Sequence, residues 1–155
     1  MLPFLSKIQE QGHDIEFAYA RTATPESYSE ERHFIIALLK NRADSSYCLK
    51  YYICKWRESS TRAEDQILLN EPQRASLLAE RANKVYSSND VQRIEGFDGY
   101  MCYFYQKNQV VYSWWGACPD RWVEMENIVK ELINEIPYPT PLHKVDFVAV
   151  RQGKE

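Results

Sequence analysis

No stretch of this 155-residue chain approaches the roughly 20 apolar residues needed to cross a bilayer, so a membrane-spanning helix is not expected. The start, Met1-Leu2-Pro3-Phe4-Leu5-Ser6-Lys7, lacks the charged n-region and the long apolar run of a secretory signal. An excess of positive charge is missing too. Lysine and arginine total 19 against 22 acidic residues, a net charge of −3, so the basic face of a nucleic-acid binder is not expected. The nearest basic group, Lys50 with Lys55 and Arg57, is interleaved with apolar residues. The five glycines are scattered and form no phosphate-cradling loop. Cys48, Cys54, Cys102 and Cys118 contain no C-x-x-C and no zinc-finger spacing. His13, His33 and His143 lie far apart, with no His or Cys one helical turn on. No metal and no cofactor is therefore expected. Without a secretory signal the cysteines read as reduced core thiols of a cytoplasmic protein.

Aromatic residues are what the chain has in surplus. They make up 14% of it, with eleven Tyr and four Trp, within an apolar fraction of 45%. That fraction excludes disorder, and the length fits a single domain, 1–155, with a proper core. No internal repeat and no low-complexity tract is present.

Residues 2–11 suit a short helix stopped by Gly12. From Asp14 to Arg21, Ile15, Phe17 and Tyr19 alternate with Glu16, Ala18 and Ala20, which is the period of a strand. His33 to Lys40 is a short apolar run that fits a buried strand. A third strand at Tyr47–Trp56 is apolar or aromatic on both faces. Residues 57–66 are polar and read as loop. Asn70-Glu71-Pro72-Gln73 starts a helix that runs to about Tyr86 and buries Leu77, Leu78, Ala82 and Val85. Tyr100–Gln106 and Gln109–Trp115 form a hairpin through Lys107-Asn108. A second amphipathic helix spans Pro119 to Ile136, with Met125, Ile128, Val129, Leu132 and Ile133 at helical spacing. Val145 to Val150 supplies a last strand. Short links between strands favour antiparallel pairing. The expected fold is α+β: a mostly antiparallel sheet of five to six strands with two to three helices packed on one face.

Each chemical candidate has a plainer structural explanation beside it. Cys118 precedes Pro119 at the expected start of a helix, where backbone N–H groups stabilise a thiolate, but a small residue near a helix start is the favoured explanation. Glu30-Glu31, Glu64-Asp65 and the acids Glu124, Glu126, Glu131 and Glu135 read as solvated faces, with Glu126–Lys130 an ordinary i,i+4 pair. Gly96-Phe97-Asp98-Gly99 suits a bulge or tight bend. His33, opening an apolar run, reads as a satisfied edge residue.

The rings leave two readings open. In the hairpin, Tyr100, Cys102, Phe104 and Gln106 share one face, and Met101, Tyr103 and Tyr105 the other. A sheet with helices on one side needs only one apolar face. Either loops and the last strand cover the second face, or it is an aromatic patch presented to a partner.

Glu95-Gly96-Phe97-Asp98-Gly99, the aromatic hairpin, Trp114-Trp115, Pro119 and the helix ending at Ile136 together resemble the C-terminal part of small bacterial toxin-immunity (antitoxin) proteins. The resemblance covers about 40 residues of the C-terminal third. It implies an acidic cytoplasmic protein, without catalytic residues, that binds and blocks a cognate toxin domain. The expected function is thus a non-enzymatic protein-binding module with a basic, toxin-like partner, and neither nucleic acid nor membrane. Expected anchors are Trp56, Tyr103, Tyr105, Trp114 and Trp115, with Glu58, Asp98 and Asp120 as charged contacts. The competing expectations are a small-molecule pocket lined by Tyr51, Tyr103 and Tyr112, a thiol-dependent enzyme using Cys118, and a homodimer through the aromatic face.

Overall fold

β-branched and aromatic residues, whose side chains pack well on a pleated surface, concentrate in the segments that become strands. The computed structural model describes residues 6–9, 11–23, 33–54, 61–87, 92–93, 100–106, 109–115, 118, 123–145 and 147; the side chains at 86, 87, 92, 93, 100, 109–112, 114 and 115 lie outside that description. The strands are β1 (His13–Ala23), β2 (Phe34–Asn41), β3 (Tyr47–Cys54), β4 (Thr61–Leu68), β5 (Gln92–Arg93), β6 (Tyr100–Gln106) and β7 (Gln109–Trp115). They form one seven-stranded sheet in the order β4-β3-β2-β1-β6-β7-β5. Every neighbouring pair is antiparallel except the two-residue β5, which runs parallel to β7. The fold is α+β, with β1 at the centre of the sheet and a sequence-distant strand, β6, hydrogen-bonded along it.

Two helices, α1 (Pro72–Ser87) and α2 (Val123–Ile133), pack on one sheet face. Their apolar stripes meet Phe17, Tyr19, Ile36, Leu38, Leu49 and Phe104 in the main core. The rings of Phe17 and Phe104 stack there at 5.8 Å between centroids. In α1 the buried stripe is Ala75, Leu78, Ala79 and Ala82, at i, i+3, i+4 and i+7. Leu77, expected in the core, sits about 100° round the helix from Leu78 and is 57% exposed. α2 buries Met125, Ile128, Val129, Leu132 and Ile133 as its spacing predicts. Its described span starts at Val123 and ends before Ile136, and residues 119–122 lie outside the described residues.

Three expectations are corrected. Residues 61–66 of the polar run 57–66, expected as loop, belong to β4, which is in register with β3 from Cys48↔Leu68 to Cys54↔Thr61. It lies at the open edge with both faces towards water, so it carries no hydrophobic alternation to betray it. A β-bulge between Ile15 and Phe17 breaks the parity of β1. Ile15 thereby joins the second sheet face, while Phe17 and Tyr19 stay on the helix face. Val145 and Phe147 are not in a strand, and the rest of the expected strand 145–150 lies outside the described residues.

The second face is also core. Ile15, Ala18, Ala20, Ile35, Ala37, Leu39, Tyr52 and Tyr105 form a separate buried cluster, joined by Ile8 from a helical turn at residues 6–9. This explains why β2 and β3 are apolar on both sides. Gly12 follows that turn at φ +84°, the left-handed conformation in which glycine pays no Cβ penalty.

Candidate interaction surface

The expected anchors fall into three groups. Trp56, Glu58, Asp98 and Asp120 lie outside the described residues. Trp114 and Trp115 are placed in β7 by their backbone, paired with Cys102 and Met101. Tyr103 and Tyr105 stand side by side on the second face, with ring centroids 6.3 Å apart. Tyr103 is half-buried, but Tyr105 is only 3% exposed, and burial pushes its hydroxyl up to about 12. The area of Tyr105 is thus already withdrawn from water inside the chain. Tyr51 packs in the helix-side core and Tyr103 against the opposite cluster, so the sheet itself separates two residues expected to line one pocket.

All four cysteines are buried. Burial raises Cys48 and pushes Cys54 up to about 11 and Cys102 up to about 12. A nucleophile or metal ligand must be the thiolate, which these environments disfavour. Cys118 lies in the main core at 4% exposure. His33 accepts a 3.4 Å hydrogen bond from the Ala23 N–H at its Nδ1, and His143 accepts one of 3.0 Å from the Thr140 N–H. Among the described residues no group of three or more His, Cys, Asp or Glu could hold a metal ion.

Sequence reading missed the main polar feature, a buried ion pair beneath α2. Glu126, expected on a solvated face, is 2% exposed, and its Oε2 accepts from Arg21 Nη2 at 3.2 Å. Arg21 Nε donates to the Tyr19 hydroxyl at 2.6 Å, and that hydroxyl lies 3.1 Å from Glu126 Oε2 and 3.3 Å from Cys102 Sγ. The Arg21 guanidinium also sits 4.9 Å from the Phe147 ring centroid. Arg21 and Glu126 are 105 positions apart, so no local spacing signals the pair. Burial holds the Tyr19 proton well above its ordinary range, with Arg21 opposing. The chain uses this network to seat α2 and the Phe147 ring on β1.

The open edge of the sheet contrasts with this closed interior. Leu68, Leu77 and Tyr138 are the exposed large hydrophobics among the described residues, at 62%, 57% and 36%. Leu68 ends β4, Leu77 lies in the following helix, and Tyr138 reaches the edge through its hydroxyl. That hydroxyl donates to Asp65 Oδ2 of β4 and lies 2.8 Å from the Tyr51 hydroxyl of β3. Partial burial, then the Asp65 carboxylate, keep the Tyr138 proton above its usual range, and Tyr138 holds Asp65 below its own. Beside Leu77, an open groove of about 530 Å³ is lined by Tyr47, Pro72, Gln73, Ser76 and Leu77. The Tyr47 and Tyr51 positions are four residues apart on β3, so groove and Tyr138 lie about 13 Å from one another along the strand. The edge itself is blunted: β4 is bulged opposite Ile53 and Cys54, and Lys50 bridges to Glu64 at 3.5 Å. Indiscriminate strand pairing is thereby discouraged.

The helix layer above is laced with charge. Arg81 bonds both Glu124, at 2.7 Å, and Glu131, and Arg74 bonds Glu71 at 3.2 Å and Glu135 at 2.7 Å. Each arginine thus faces two carboxylates. Among the described residues no helix is long and apolar enough to cross a membrane. No protein-family model, curated protein or solved structure matches the chain.

Proposed function

We propose that this chain is a non-enzymatic protein-binding module of the immunity or inhibitor kind, which neutralises a cognate, basic toxin-like domain in the cytoplasm. The observation that carries the reading is that three large apolar side chains stay exposed in or near the open edge of the sheet, while the buried polar groups are enclosed. The buried ionisable groups are consumed by packing, whereas Leu68, Leu77 and Tyr138 stay exposed around β4. A net charge of −3 and arginines outnumbered by their carboxylate partners would speed encounter with a basic surface. Trp114, Trp115 and Tyr103, with Trp56, Glu58, Asp98 and Asp120, are the further contacts that the surplus of rings and the acidic balance of the sequence suggest.

The test is affinity capture on the tagged chain from native lysate, followed by reconstitution of the captured protein with untagged chain. The reading requires one stoichiometric, salt-resistant partner whose toxicity or nuclease-type activity is abolished in the complex. Trp115→Ala should weaken that complex with the melting temperature unchanged; a collapse in melting temperature would mark Trp115 as core. A captured protein whose activity the complex leaves intact would overturn the inhibitor reading.

A further inference from the structure

We draw no further inference here: the strongest candidate, the open apolar groove between β3 and the first turns of α1 lined by Tyr47, Pro72 and Leu77, carries nothing because nothing in the structure shows what covers it.

Discussion

Replacing Glu126 with Gln tests the buried ion pair directly. The substitution keeps the size of the side chain and removes its charge, taking the carboxylate of Glu126 from its 3.2 Å contact with the buried Arg21 guanidinium. Both side chains are almost fully enclosed, at 4% and 2% exposure, so water cannot take the place of the lost partner. Breaking such a pair from one side typically costs about 3–5 kcal/mol. The Phe147 and Tyr19 rings, 4.9 and 5.6 Å from the guanidinium, remain in the variant and offset part of the loss. Each ring contributes up to about 2 kcal/mol when desolvated, so we expect the low end, about 3 kcal/mol. With a urea slope of about 2 kcal/mol per molar, the unfolding midpoint should fall by about 1.5 M. The double variant Arg21→Met with Glu126→Met removes both charges together and should lie within about 1 kcal/mol of wild type or above it. Equilibrium urea unfolding of the wild type, both single variants and the double variant completes the cycle. A Glu126→Gln shift below about 0.5 M, or a double variant costing the sum of the singles, would refute the account of a desolvated pair.

Four shorter predictions follow from the same geometry. Burial holds protons on Cys54 to about 11 and on Cys102, Tyr52 and Tyr105 to about 12. The unfolded chain releases them from about pH 8.5 for Cys and about pH 10 for Tyr, so it binds fewer protons than the folded state above that range. Stability should therefore decline steadily from about pH 9 upward, and equal denaturation midpoints at pH 8 and pH 10.5 would contradict this. A colourimetric thiol reagent should label the native protein slowly at neutral pH and all four cysteines quickly in denaturant; one fast native thiol at Cys118 would revive thiol chemistry there. Tyr138→Phe removes the bond that lowers Asp65, whose stabilising effect is present above the unfolded carboxyl value and lost as pH falls. Melting temperature should consequently depend less on acid in Tyr138→Phe than in wild type between about pH 5 and 2, and parallel curves would count against the bond. Leu77→Ser should change stability by no more than about 0.5 kcal/mol, whereas Leu78→Ala should cost about 2–5 kcal/mol. Chemical denaturation of the pair reads out the facing of α1, and equal losses would mean that Leu77 is core.

Local pattern carried much of the architecture. The two-sided apolar runs of β2 and β3, the aromatic hairpin of β6 and β7, and the helical spacing of α2 were all legible, because each buries a face at a fixed period. β4 was not, because a strand exposed on both faces has no period to read. Leu77 was misplaced for a related reason: the alanines at 75, 79 and 82 form the packed stripe, and alanine weighs little in a hydrophobic pattern. Of the candidate surface, the sequence pointed to the rings of β6. It gave no sign that Tyr105 is buried beneath the second cluster, or that Tyr138 crosses to Asp65, 73 positions away.

What the sequence determined by itself is the α+β class, the apolar runs of β2 and β3 and the apolar stripe of α2, since these depend on residues within a few positions of one another. Only the tertiary structure decided that β6 lies along β1, that the β1 bulge turns Ile15 away from Phe17, and that Arg21 meets Glu126. Those outcomes depend on which distant surfaces exclude water together. A charged residue reads as solvated until its partner, brought in from 105 positions away, makes its burial tolerable.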